Sequence, residues 1–404
     1  MNLRSAEPFW LYHTPALHTY PSLRENIRAE VVVVGCGISG ALAAYELVKA
    51  GCEVVIISKD RVGMASTCAS TSLLQYEIDT PLHKLIELVG RDTAERSYLL
   101  CHDSIDELQK IHKAVGAAKS FHRRKSLLLA SVKKDIPDLE KEFQARQEIG
   151  IWMKWMNENE VKDHFGFDSP AAIYSDQGGE TDSYLFTQKV LKWCRDKGAR
   201  IYDHAEVTTM TEGFRKIELV TTEGYTIRAR YAVMATGYEG VKWINRNVAR
   251  LHSTYVVMSK PIPEAHLWKD KCLIWETAHP YIYLRTTDDH RIIIGGKDEP
   301  FASGHKRDVL MREKSKQLLK AFYKKFPNVG FDIDYEWAGT FGETADGLPY
   351  IGPAKPGSRM LFSLGYGGNG ITFSQMGAVI LKDIITRQKN PDVKRYSFER
   401  LNYK

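Results

Sequence analysis

Gly35, Gly37 and Gly40, in "VVVVGCGISGALAAYELVKAG", are the first residues whose types and spacing could do chemistry. The first glycine allows a tight turn out of a strand, and the second lets backbone approach a pyrophosphate. The third lets the following helix pack closely on the sheet. That helix, entered through Ile38 and Ser39, offers N–H groups and the positive end of its dipole to phosphate. The unit predicts a bound dinucleotide; the plain alternative is a turn that merely joins strand to helix. Which dinucleotide stays open at this point. The second strand ends in Ser58-Lys59, where a ribose-binding carboxylate is expected. Ser58 can hold ribose as a neutral partner, more weakly than a carboxylate. Lys59 and Arg61 could instead contact a 2′-phosphate, which would favour NADP.

The elements that must position these residues follow from patterning. A chain of 404 residues is expected to divide into about two domains. Hydrophobic content of 43% and charged content of 26% suit a soluble globular protein. The net charge of +6 comes from scattered basic residues, the longest run being Arg123-Arg124-Lys125, so no nucleic-acid partner is expected. The six cysteines, Cys36, Cys52, Cys68, Cys101, Cys194 and Cys272, form no C-x-x-C pair. That argues against a metal centre or a disulfide framework and fits a reducing cytosol. No apolar run approaches a membrane span and the first residues lack a signal-peptide pattern, so a cytoplasmic location is expected.

Residues 1–29 read as an aromatic-rich arm on the surface, and 30–60 as strand, helix, strand. Tyr98, Cys101, Ile105, Leu108, Ile111 and Val115 recur at helical spacing over 91–116. A strand is expected at 126–130, a charged helix at 137–150, and a hairpin around Glu223-Gly224. A second hairpin should turn at Asp288-Asp289, a basic helix with a solvated face should cover 306–325, and a last helix should close the chain. The fold class is α/β: a discontinuous Rossmann-like cofactor-binding domain over 1–82, 175–250 and 335–404. An antiparallel, β-rich α+β substrate domain takes 83–174 and 251–334.

Three distant motifs decide between nucleotides. "YAVMATGYEG" puts an apolar strand before Ala235, Thr236 and Gly237. "WAGTFGETADGLPYIGP" follows at 337–353, and "LFSLGYGGNGITFSQMGAVILKDII" opens a helix with a glycine loop. With the N-terminal unit, this set resembles the D-amino-acid-oxidase-like FAD-dependent amine oxidoreductases, which include glycine, sarcosine and γ-glutamylputrescine oxidases, over nearly the whole chain. The resemblance implies FAD, with the N-terminal glycine turn on the pyrophosphate and Ser58 on the family's ribose acid. It implies Ser66, Thr67 and the stretch Ser70, Ser72 and Leu73 along the phosphates and ring, and Val207 at adenine. Gly367, Gly368, Asn369, Gly370, Ile371 and Thr372 would lie at the flavin's pyrimidine edge, where a helix N-terminus stabilises negative charge on reduced flavin. Relatives that tether flavin use a cysteine near "DGLPYIG"; no cysteine follows Cys272, so non-covalent FAD is expected.

The implied reaction is hydride transfer from the carbon bearing a neutral amine to flavin N5, which needs positioning more than an acid–base pair. Tyr281 and Arg285, on what looks like the family's substrate-facing strand, Gln75, Tyr76 and Tyr366 are the candidates. Alternation puts Tyr281, Tyr283 and Arg285 on one face, so that the strand presents all three or none. Phe341 stands where amino-acid oxidases of the family carry an arginine for the substrate carboxylate. That puts α-amino-acid substrates in doubt and favours an amine without an α-carboxylate, or a carboxylate held elsewhere; the expected substrate is a primary or secondary amine of amino-acid or polyamine type. Ile293 falls where sarcosine oxidases carry a lysine that assists reaction with oxygen, so oxygen is expected to be a poor acceptor and dehydrogenase activity stays open; the acceptor is O2 or unknown. An NADP-dependent reductase and a non-catalytic flavin-binding protein are the alternatives.

Overall fold

Runs of valine and isoleucine without polar interruption make strands buried on both faces, the requirement of a parallel sheet covered by helices. The computed structural model describes residues 3–244 and 248–403; Met1, Asn2, 245–247 and Lys404, which the cofactor segments expected above include, lie outside the described residues. Strands Ile27–Val34, Val54–Ile57, Arg200–Tyr202, Thr226–Met234 and Met360–Leu364 run parallel to one another in one eight-stranded sheet. Val31, Val32 and Val33 are fully buried in it. Thr226–Met234 pairs with Ile217–Thr221 through its first half and with Met360–Leu364 through its last residues. Helices Ile38–Lys49, Ser183–Asp196, Arg91–Ala114 and Gly370–Thr386 pack over this sheet and on one another.

A nine-stranded sheet faces it, built mostly of antiparallel pairs from 126–175, 250–299 and 333–343. One pairing in it, Leu273–Glu276 with Ser126–Leu129, is parallel, so this sheet is mixed where an antiparallel one is expected. Its strands Arg4–Ser5 and Ile333–Glu343 include residues that the expected boundaries group with the cofactor-binding segments. A third, three-stranded sheet joins Leu73–Gln75, Gly178–Glu180 and His122–Arg123.

Three local expectations need correction. The first residues are not a surface arm: Arg4–Ser5 is an edge strand, Phe9 and Trp10 are buried, and Trp10 Nε1 donates to Ser70 O at 2.7 Å. The basic helix, Gly304–Lys325, keeps a solvated face but buries Arg307 and Lys314. Lys314 donates to Lys297 O at 2.9 Å and pairs with Glu299 at 2.5 Å. The charged helix Ile136–Glu148 likewise turns Glu142 and Arg146 inward. In each case a partner on a neighbouring element makes burial of the charge tolerable. The two hairpins and the long helix Arg91–Ala114 stand as expected.

Candidate active site

Four parallel strands end side by side, at Val34, Ile57, Met234 and Leu364, and Gly35, Ser58, Ala235 and Gly365 follow them. In open α/β sheets the crevice beyond such carboxyl ends is where ligands bind. Here it opens into one long cavity of about 2170 Å³, mouth included, which runs to the nine-stranded sheet.

At the first end the glycine turn is fixed by close packing. Gly35 has φ +115°, and a Cβ on it would lie 2.3 Å from Ala235 O. A Cβ on Gly40 would lie 1.9 Å from Gly35 O, so Gly40 sets the helix against the turn and does not itself reach the cavity. Gly37, Ile38 and Ser39 line the cavity, with Ile38 N donating to Thr67 Oγ1 at 3.0 Å. Ser58, Lys59, Val207, Thr236 and Gly237 line the same end. Lys59 is engaged there: its Nζ lies 2.8 and 2.9 Å from the two carboxylate oxygens of Glu239.

Ser66, Thr67, Ser70 and Leu73 carry the wall onward. Ser66 Oγ and Thr236 Oγ1 are buried hydroxyls without a hydrogen-bond partner, at the edge of this cavity. Two orphaned donors along a glycine-lined channel fit a pyrophosphate-bearing ligand, since buried polar groups are ordinarily satisfied. Ser72 does not line the channel; its hydroxyl donates to Ser183 Oγ at 2.7 Å.

The far end is made by the glycine loop and the nine-stranded sheet. Gly367, Gly368, Gly370 and Ile371 line it. The helix beginning at Gly370 has no side-chain cap, so its first N–H groups have no partner within the helix. Asn369 and Thr372 hold the loop from behind. Asn369 Nδ2 donates to Gln75 O at 3.3 Å and Glu77 O at 2.7 Å, and Thr372 Oγ1 donates to Asn369 O at 3.1 Å. Tyr281, Tyr283, Trp275, Thr254 and Phe341 line the cavity on the side of the nine-stranded sheet, and the strand of Phe341 meets the loop, Gly367 N donating to Gly342 O at 2.9 Å.

Several sequence-derived candidates behave differently from expectation. Tyr281 and Tyr283 face the cavity, but Arg285 does not. Its buried guanidinium donates to the carbonyls of Thr71 at 3.0 Å, Ser72 at 3.1 Å and Thr181 at 3.1 Å, and pairs with Glu180 at 3.3 Å. It positions the wall instead of meeting a ligand. The strand therefore presents two of its three alternating residues. Gln75 lines the cavity while Tyr76 is fully buried behind it. Tyr366 contributes its ring, but its hydroxyl donates to Ser363 Oγ at 2.8 Å. Ile293 is fully buried in the core and Phe341 stacks on His252 with centroids 5.4 Å apart.

Sequence reasoning missed three acids, Glu77, Asp79 and Asp298. Leu73, Gln75, Glu77 and Asp79 alternate toward the cavity, while Leu74, Tyr76 and Ile78 are fully buried. Asp79 Oδ2 accepts from Gly368 N at 2.6 Å, and burial pushes its carboxyl up to about 6. Behind the tyrosines, burial pushes Asp298 up to about 7. The period-two pattern in "LLQYEID" is the signal that could have found the first two.

A family model for FAD-dependent oxidoreductases, DAO, matches residues 30–384. Gamma-glutamylputrescine oxidoreductase of Escherichia coli (strain K12) is 22% identical over 377 residues, covering 91% of this chain and 85% of that protein. Glycine oxidase of Bacillus subtilis (strain 168) is 23% identical over 368 residues, covering 89% and 94%. Among solved structures, L-proline dehydrogenase from P. horikoshii superposes with a TM-score of 0.78 at 21% identity, covering 94% of this chain and 99% of that one.

Proposed function

The chain belongs to the DAO family of FAD-dependent oxidoreductases, and from that premise we propose that it oxidises a primary or secondary amine without an α-carboxylate to an imine. The observation that carries this reading is the make-up of the cavity's far end. Tyr281, Tyr283, Trp275 and Phe341 wall it, and no lysine or arginine among the described residues lines it there. An aromatic enclosure without a guanidinium suits an amine and gives a carboxylate no cationic partner.

When bound, FAD would supply the acceptor for the hydride, with its two electrons, from the carbon next to nitrogen, and the iminium left behind gives its N–H proton to water to become the imine. The chain's own residues do the rest. Gly37, Ser39, Ser66 and Thr236 would hold the pyrophosphate, and Ser58 and Val207 would border the adenosine. The N–H groups at Gly370 and Ile371 would stabilise the negative charge that develops at the ring's pyrimidine edge on reduction. Tyr281 and Tyr283 orient the amine and exclude water, the positioning effect such a transfer depends on. Water then hydrolyses the released imine to a carbonyl compound and the shorter amine or ammonia.

Non-covalent FAD is part of this reading, as are a cytoplasmic location and an acceptor that is O2 or another oxidant. Ile293 at the oxygen-assisting position favours the latter. The engagement of Lys59 by Glu239 counts against an NADP reductase, because that ammonium is not free for a 2′-phosphate. No helix among the described residues is long and apolar enough to cross a membrane. The test is product analysis with a dye as electron acceptor. Aldehyde formed in equal amounts with reduced dye supports the reading; dye reduction by α-amino acids alone would overturn it.

A further inference from the structure

The far end of the cavity holds carboxylates that amine oxidation as such does not require. Glu77 and Asp79 both line it, two residues apart on the alternating stretch after Leu73. Glu77 is only 4% exposed; its Oε1 faces Arg146 Nη1 at 3.7 Å, its Oε2 has no hydrogen-bond partner, and the Ser126 hydroxyl stands beside the carboxylate. A buried, half-satisfied carboxylate on a cavity wall calls for a donor from whatever enters the cavity. Asp79 accepts one bond, from Gly368 N. Asp298, with Oδ1 buried and unpartnered, stands within electrostatic reach of Asp79 and Tyr281.

Positive charge nearby does not balance these acids. Arg146 lies behind Glu77, off the cavity wall, and its closest pairing is to Glu142 at 2.6 Å. His83 is 2.9 Å from that same Glu142. The basic residues among the described lining, Lys59, Arg61 and Lys242, belong to the segments around Ser58 and Glu239 at the opposite end. Aromatic faces complete the picture: Trp275, Tyr281 and Tyr283 line the same end, and ring faces attract ammonium groups.

We propose that Glu77 and Asp79, with the aromatic wall opposite them, seat a second, protonated nitrogen of the substrate, so that the substrate class is a diamine or longer polyamine. This rests on the amine-oxidising reading above. One nitrogen sits neutral at the reacting carbon while the other stays an ammonium, donating to Glu77 Oε2 and Asp79. The seat binds and orients without taking part in the transfer. Its contribution is a charge-assisted contact in a desolvated site, about ten- to hundredfold in affinity.

The experiment compares three compounds of equal length on the purified, FAD-loaded protein without oxygen: 1,4-diaminobutane, 1-aminobutane and 4-aminobutanoate. Binding is read from perturbation of the flavin's visible bands, and oxidation from their bleaching. The expected order of affinity is diamine first, monoamine weaker by about ten- to hundredfold, and the amino acid weakest. In Glu77→Gln and Asp79→Asn, checked for retained FAD, the diamine-over-monoamine ratio collapses toward one. Equal affinity for diamine and monoamine, or preference for 4-aminobutanoate, overturns the seat while bleaching leaves the amine reading standing. Preferential diamine binding without bleaching keeps the seat and overturns the oxidation. Neither binding nor bleaching overturns both.

Discussion

At the scale of single residues, Arg285 and the pair Glu77–Asp79 mark the reach of sequence. Arg285 was legible as a substrate-facing candidate beside Tyr281, but alternation along a strand says nothing of where a long side chain ends. The carbonyls of Thr71, Ser72, Thr181 and Thr286, with Glu180, hold it behind the wall. Glu77 and Asp79 were not singled out in the sequence, because their burial depends on Arg146 and on the loop at Gly368, which lie far along the chain. Asp298 carries a testable consequence. Burial raises its carboxyl from 3.8 to about 7, so the folded protein keeps a proton that the unfolded chain has released. From about pH 4 to about pH 7 the folded state thus binds more protons, and this group lowers stability as pH rises, the loss being complete above 7. Asp298→Asn cannot ionise, and its thermal midpoint should fall less than that of the wild type across this window. Parallel curves would contradict the assignment.

At the scale of elements, the strand–turn–helix at 27–49 was legible in full, because glycine spacing and valine runs are local signals. The N-terminal strand and the Trp10 anchor were not. Two residues make a strand only because Gly339 and Ala338 offer an open edge, and Trp10 is buried only because Ser70 O is there to accept from it. Gly40 tests the local signal. Valine there would drive its Cβ into Gly35 O, at 1.9 Å, and lever the helix from the turn. The expected result for Gly40→Val is a destabilisation on the order of 1–3 kcal/mol, from overpacking, with loss of the visible flavin bands. A variant with unchanged flavin content would show that the contact does not organise the turn.

At the scale of the whole molecule, two sheets assembled from interleaved segments bring the ends of four parallel strands against an aromatic wall from the nine-stranded sheet. The α/β class could be read from motif order. The mixed character of the nine-stranded sheet could not, since the parallel pairing of 126–129 with 273–276 is set by packing and not by either segment's composition. The central claim is that this assembly holds FAD and passes electrons to it from an amine. The most direct measurement is the visible spectrum of the purified protein, reconstituted with FAD, before and after anaerobic addition of amines lacking an α-carboxylate. The account predicts flavin bands that bleach on addition and FAD that is released when the protein is denatured. A protein that binds no FAD, or bound FAD that every such amine leaves oxidised, would contradict it.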